Sequence, residues 1–213
     1  MEKLLTIHNG IDLDSIDKTV AASLKEFGIN ADRRAIAFVG RLHQQKGLKQ
    51  FLAHGTELFH ELPNHDLLLI GGGPLRSELE AFVAGQPWHD RVHFLGWRPD
   101  ALPILAACDA LVLPSLWEGM PNVVMEAMAL KKPVAAFSVE GVAELFGDQA
   151  CDQTCSPGNY EAFVELLSRI VSSESLKTSI GSGNRQRIEK EFTLGKMIAR
   201  YEDLYNHLLG GED

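Results

Sequence analysis

Short apolar runs alternate with longer amphipathic stretches along most of the chain. The runs have the length and composition of buried strands and lie at residues 35–39, 67–70, 92–95, 110–113 and 134–137. Each is followed by a loop and then by a stretch that can form a helix. Because apolar strands separated by helices are typical of a parallel sheet covered on both faces, the pattern predicts an α/β fold with a doubly wound, Rossmann-like parallel sheet.

The stretches between these runs predict the helices. We expect them at residues 14–27, 48–62, 75–85, 100–108 and 142–146, with a further helix that begins near Pro121. The chain from Tyr160 onward is predicted to be helical, and residues 192–209 form a final amphipathic helix. Residues 4–7 are a short strand candidate, closed by a turn at Asn9-Gly10.

The most unusual loops fall where a doubly wound sheet binds its ligands, beyond the carboxyl ends of the strands. They lie at residues 40–47, 71–74, 96–98 and 114–121. The last of these loops contains Glu118 and Gly119 and leads into the helix near Pro121. Because the first N–H groups of a helix have no partner within it, this helix end can attract a phosphate group.

One charged residue, Glu126, interrupts an otherwise apolar helix. A carboxylate in such a place is unfavourable unless water, a cation or a hydrogen-bond donor reaches it. Two interpretations are open at this point. Glu126 either meets a structural Arg or Lys, or it binds part of a phosphorylated ligand.

The other loops also contain candidate ligand-binding residues. Arg41 and Lys46 share one loop and could together clamp a diphosphate, although basic loop residues are more often merely solvated. Around Gly72, three glycines suggest either a tight turn or a close ligand, but Arg76 stands where a dinucleotide fingerprint needs a glycine. Trp97 either packs on the surface or belongs to a turn whose backbone binds the edge of a nucleobase.

Composition narrows the function classes. The formal net charge of -9 argues against nonspecific nucleic-acid binding, which needs a basic surface. No apolar run reaches the length of a transmembrane helix, and the first residues are too short for a signal peptide. Neither the three cysteines nor the eight histidines have a metal-ligand spacing. We therefore expect a cytoplasmic protein without a metal site.

Taken together, these residues resemble a known family. Glu118 and Glu126, with seven residues between them, resemble the E-x7-E signature of the retaining, nucleotide-sugar-dependent glycosyltransferases of the GT-B fold, the "glycosyl transferases group one" class. Other segments follow the family's order and approximate spacing, namely Gly40-Arg41-Leu42 with Lys46-Gly47, Gly72-Gly73-Pro74-Leu75, Val92 to Gly96, and Ala110 to Ser115. The resemblance covers nearly the whole chain.

The resemblance implies a role for each candidate. Arg41 and Lys46 would bind the donor diphosphate, Glu126 would accept hydrogen bonds from the ribose, and Glu118 would face the donor sugar. Gly72 and Trp97 would lie in the nucleotide site. Further contacts would come from backbone amides, at Gly119, Met120, Asn122 and Val123. The donor would be a nucleotide diphosphate sugar, with a UDP-sugar favoured, and no metal is expected because Arg41 and Lys46 would stabilise the leaving diphosphate.

The resemblance also implies a domain division. Residues 8–12 resemble the family's hinge, so an N-terminal domain with the acceptor contacts is expected to be missing. We expect the single C-terminal domain of a GT-B fold with a helical C-terminal extension. Its parts are a hinge-like segment with a first strand at 1–12, a nucleotide-sugar-binding domain at 13–191, and a helix at 192–209 that would return to the missing domain.

The implied function is sugar transfer to a glycan or lipid-linked acceptor, as in polysaccharide biosynthesis. The isolated chain is expected to be inactive without its N-terminal domain. Peripheral membrane association of the full enzyme is compatible with the lack of a transmembrane segment. The alternative is a stand-alone nucleotide-sugar binding or regulatory module without catalysis. A sugar epimerase of related fold is a further alternative among enzymes.

Overall fold

A computed structural model describes residues 4–209 and contains one six-stranded sheet. All neighbouring strands are parallel, in the order β3-β2-β1-β4-β5-β6. The strands are β1 (Arg34–Val39), β2 (His65–Ile70), β3 (Val92–Gly96), β4 (Leu111–Leu113), β5 (Val134–Phe137) and β6 (Thr154–Cys155). The doubly wound sheet predicted from the apolar runs is therefore confirmed. β6 was missed because two residues are too short for a recognisable pattern.

Helices cover the sheet and extend beyond it at the C-terminus. They are α1 (Leu13–Asp17), α2 (Leu48–Ala53), α3 (Gly55–Glu61), α4 (Arg76–Ala84), α5 (Ala101–Ala107), α6 (Asn122–Ala129), α7 (Val142–Phe146), α8 (Ala150–Gln153), α9 (Tyr160–Ser172), α10 (Glu174–Glu191) and α11 (Leu194–Leu209). Within residues 4–209, no helix combines the length and apolar character that crossing a membrane would require.

Two predicted helices are interrupted. The helix expected at 14–27 ends at Asp17, and a 3₁₀ turn follows only at Leu24–Phe27. Val20 lies between them and is 80% exposed, and no residue from 18 to 23 is fully buried, so little packing stabilises a continuous helix there. The helix expected at 48–62 breaks at His54, whose ring stacks on Tyr160.

The first strand expected within residues 1–12 is wrong for the described part of that segment. Residues 4–7 form no strand and pair with no edge of the sheet. Leu4 and Leu5 are exposed, and residues 5–8 line a groove against α11 instead. An apolar run alone cannot show whether a sheet edge is within reach, because strand formation depends on a partner strand.

Charged residues hold the sheet together at the edge opposite the ligand-binding loops. Asp109 accepts a hydrogen bond from Arg34 and lies 2.9 Å from His65 and 3.2 Å from Lys177. Burial alone would raise the pKa of Asp109. The hydrogen bond with His65 and the charges of Lys177 and Arg34 outweigh burial and lower it to about 2.

Asp109→Asn is expected to lower the free energy of unfolding at pH 7 by about 1–2 kcal/mol. Because the folded-state pKa lies below the unfolded value, this stabilisation is present above the unfolded pKa. It is lost as the pH falls from about 5 towards 2. Urea unfolding across that range should be less pH-dependent in the variant. Asp90→Asn, at an exposed position, is the matched control, and an equal loss at all pH values would contradict the assignment.

Candidate active site

The site lies where the strand order changes direction. β1 is flanked by β2 on one side and β4 on the other, so the loops that follow β1 and β4 border a crevice at the carboxyl edge of the sheet. The Leu116 N–H donates to the Gln45 carbonyl at 2.8 Å, and the Gln45 side chain donates to the Trp117 carbonyl at 2.9 Å. These hydrogen bonds hold the two loops side by side.

Gly47 permits this close approach. It has φ of 64°, and a Cβ atom there would lie 2.1 Å from the Pro114 carbonyl oxygen. Any larger residue would therefore push the β4 loop away and adopt an unfavourable backbone conformation. The glycine that closes the Arg41-to-Lys46 loop is thus required by the packing of the site.

The two loops place Lys46 and Glu118 in direct contact. The Nζ atom of Lys46 lies 2.5 Å from Oε1 of Glu118, and the side chains are 16% and 7% exposed. At this degree of burial the pair is screened little by solvent. Lys46, which is predicted to bind the diphosphate, and Glu118, which is predicted to face the sugar, are therefore paired with each other in the free protein.

The second glutamate lies on α6. Burial raises the pKa of the Glu126 carboxyl above its ordinary value, and no other group contributes to the shift. Within residues 4–209, its carboxylate forms no ion pair or hydrogen bond. The structural Arg or Lys partner considered from the sequence is therefore not found in the described chain.

The N-terminus of α6 opens towards the same crevice. Pro121 is the N-cap residue, in an extended conformation, and no side chain caps the helix. A Cβ atom at Gly119 would meet nothing within 4 Å, whereas one at Gly141 would collide with the Gly119 carbonyl. The loop before α6 is thus supported from behind by Gly141 and open in front, where a ligand can approach its N–H groups.

A cavity of about 600 Å³ continues the crevice across β1, β2 and β3. Its lining consists of Val39, Gly40, Arg41, Ile70, Gly71, Gly72, Gly73, Trp97, Arg98 and Ala101. Gly72 has open space where a side chain would be, while Gly71 and Gly73 pack against backbone carbonyls of the β1 loop. The glycine cluster thus forms the tight turn expected from the sequence, and Gly72 leaves space that a ligand could occupy.

The sequence reasoning overlooked Arg98. Its guanidinium donates two hydrogen bonds to Asp100, at 2.8 and 2.7 Å, and lies 5.0 Å above the ring of Phe27. These contacts orient a cation at the wall of the cavity. Arg98 could have been predicted from the sequence, because it directly follows Trp97 in the 96–98 loop.

The structure divides the predicted residues into two groups at one sheet edge. Arg41, Gly72 and Trp97 line the cavity, whereas Lys46, Glu118 and the start of α6 form the neighbouring crevice. The side chains of Met120 and Val123 are partly buried and pack against the core. Glu126 is not part of the cavity lining. Within residues 4–209, no three His, Cys, Asp or Glu side chains cluster as a metal site would need.

The chain is similar in sequence to proteins already known. A family model described as glycosyl transferases group 1 matches residues 33–173. The Escherichia coli UDP-Gal:alpha-D-GlcNAc-diphosphoundecaprenol alpha-1,3-galactosyltransferase is 30% identical over 210 residues, which are 95% of this chain and 54% of that protein.

Two solved structures share the fold. Sucrose-phosphate synthase from Thermosynechococcus elongatus superimposes with a TM-score of 0.82 at 24% identity, over 97% of this chain and 53% of that chain. The Anabaena protein HepE, in complex with UDP, superimposes with a TM-score of 0.82 at 21% identity, over 94% of this chain and 56% of that chain. The chain spans about half the length of the curated relatives it matches.

Proposed function

Because this chain belongs to the glycosyl transferases group 1 family, we propose that it is the donor-binding, C-terminal domain of a retaining GT-B glycosyltransferase. It takes a nucleotide diphosphate sugar, with a UDP-sugar favoured. The observation that carries the proposal is the contact between Lys46 and Glu118 at the point where the sheet changes direction. A cation and a carboxylate held there suit the two halves of such a donor, its diphosphate and its sugar hydroxyls.

Each residue has a role in this proposal. Lys46 leaves Glu118 for the diphosphate, and Arg41 at the cavity wall adds a second cation. Glu118 then faces the donor sugar. The N–H groups at the start of α6 contact phosphate or sugar oxygens. As the bond to the sugar breaks, Arg41 and Lys46 stabilise the charge on the leaving nucleotide diphosphate, so the proposed donor site works without a metal.

Glu126 is proposed to bind the ribose. A diol donates two hydrogen bonds to a carboxylate without adding charge, which suits a half-buried carboxylate that has no partner among residues 4–209. The nucleobase extends into the glycine-floored cavity beside Trp97, over the open position at Gly72. The HepE structures, one of them with UDP-glucose, support the choice of a uridine nucleotide.

We propose that the acceptor, a glycan or a lipid-linked sugar, binds a further domain N-terminal to residues 8–12. The relatives' greater length supports this, and so does an exposed apolar face on α11 formed by Ile198, Tyr201, Tyr205 and Leu208. Contiguous apolar surface of this kind commonly marks an interface. Transfer then needs both parts, on the cytoplasmic side of a membrane or in the cytoplasm.

Calorimetric titration of this chain in EDTA with UDP-, GDP- and ADP-glucose tests the proposal. One of the three donors, with UDP-glucose favoured, should bind at 1:1 stoichiometry. Gly72→Leu places a side chain in the open cavity and should weaken binding at least about tenfold. Gly195→Leu, on the open surface of α11, is the matched control and should bind normally. Failure of all three donors to bind, or unchanged binding by Gly72→Leu, would contradict the proposed site.

A further inference from the structure

The N-terminal segment reaches the donor site through one side chain. The Nδ2 atom of Asn9 donates a hydrogen bond to Oδ1 of Asn122 at 3.0 Å, although 113 positions separate the two residues. Asn122 is the first residue of α6, beside the loop that carries Glu118. Asn9 itself is not part of the cavity lining.

Independent contacts fix the backbone on both sides of Asn9. The Ile11 N–H donates to the Phe192 carbonyl at 2.8 Å, and the Leu194 N–H donates to the Ile11 carbonyl at 2.9 Å. A Cβ atom at Gly10 would lie 2.6 Å from the Thr193 carbonyl oxygen, so a glycine is needed for this approach. On the other side, His8 lies 2.9 Å from Glu144 of α7. Asn9 is thus presented to Asn122 from a segment that is held in place.

The hydrogen bond determines how the carboxamide of Asn122 is turned. Its oxygen is engaged by Asn9, so its Nδ2 group points away from Asn9 and forms no hydrogen bond within the described residues. An amide nitrogen is a donor only, and this one stands at a helix end suited to anions. It is available for an oxygen of the donor's phosphate or sugar.

We propose that Asn9 is a positioning residue: it holds the Asn122 carboxamide with its NH2 group directed at the nucleotide-sugar donor. This inference rests on the proposed function of the same site. It also gives residues 8–12 a direct role in donor binding, because a movement of this segment would turn Asn122 or release it.

Titration of the chain with UDP-glucose, or with whichever donor binds best, tests this role. Asn9→Ala should weaken binding about threefold to tenfold, the effect of one exposed hydrogen bond. The double variant Asn9→Ala/Asn122→Ala should bind no more weakly than Asn122→Ala, because Asn9 acts through that residue. Asn30→Ala, at an exposed asparagine away from the site, is the control and should bind normally.

The Asn9→Asp variant tests whether Asn9 orients the Asn122 carboxamide or only stabilises the fold. An aspartate can only accept, so it should turn the Asn122 carboxamide around and engage the Nδ2 group itself. The hydrogen bond and the melting temperature are then kept, but donor affinity should fall as in Asn9→Ala. The titration is done in 0.3 M salt, on the order of a 6 Å screening length, to limit the effect of the new charge.

Several outcomes overturn the inference. Unchanged affinity of Asn9→Ala or of Asn9→Asp would do so, and so would additive losses in the double variant. These results leave the proposed donor site intact, because the unmodified chain still binds. If the unmodified chain binds none of the donors, the proposed function fails and this inference fails with it.

Discussion

Lys46→Met is expected to lower the free energy of unfolding by about 3 kcal/mol and to weaken UDP-sugar binding at least tenfold. The stability loss arises because Glu118, 7% exposed, would be left buried without its cationic partner. The binding loss arises because the diphosphate would lose a cation. Urea denaturation measures the first effect and calorimetry the second.

A second substitution should separate these two effects. Lys46→Met/Glu118→Gln removes both charges, so most of the lost stability should return, whereas donor binding should stay weak. Lys49→Met is the control, because Lys49 forms a pair of similar length with Glu78 on the surface, where both side chains are about half exposed. We expect that control to change stability by less than about 1 kcal/mol. No recovery in the double variant would show that Lys46 stabilises the domain in some other way.

Glu126→Gln is expected to affect stability and binding in opposite directions. Burial raises the pKa of Glu126, so ionisation of this side chain destabilises the folded protein. A group with a raised folded-state pKa contributes its stability below the unfolded value and loses it as the pH rises through the folded value. The variant should therefore gain stability relative to the unmodified chain as the pH rises from 4 to 8.

Donor binding should fall about tenfold to a hundredfold in the same variant, because hydrogen bonds from the ribose to a charged acceptor are replaced by bonds to a neutral amide. The measurements are urea unfolding at several pH values and titration with a UDP-sugar. Glu165→Gln, at an exposed position on α9, should change neither. A variant that loses stability at pH 8, or that binds normally, would contradict the assignment of the ribose to Glu126.

In the proposed donor site, these two glutamates carry different energetic costs. Glu118 is compensated within the free protein by Lys46, so donor binding must exchange one partner for another. Glu126 is not compensated in the described chain and is held at a cost in stability. Proteins commonly tolerate such a cost where function requires it.

Much of the fold follows from local sequence. The runs at 35–39, 67–70 and 134–137 are apolar throughout because both faces of a parallel sheet are buried, and all of them appear in the sheet. The helix after Pro121 was predicted in the same way, because it is apolar except for one charged residue. A buried segment is apolar in its own sequence, so burial can be predicted for each segment separately.

Contacts between distant segments could not be predicted from the local sequence in this way. Residues 4–7 are apolar but find no strand to pair with, and the expected helix at 48–62 breaks at His54, where tertiary packing places Tyr160. The sequence suggested separate roles for Lys46 and Glu118, yet the order of strands around β1 brings them within 2.5 Å.

The sequence by itself determined five of the six strands and the sheet type, and it predicted which residues have the chemistry to bind a nucleotide sugar. Only the tertiary structure decided which of those residues touch, that Glu126 has no partner in the described chain, and that Asn9 reaches Asn122. The physical reason is that hydrophobic burial acts through local periodicity, whereas a hydrogen bond or ion pair between distant segments depends on topology, which no single segment encodes.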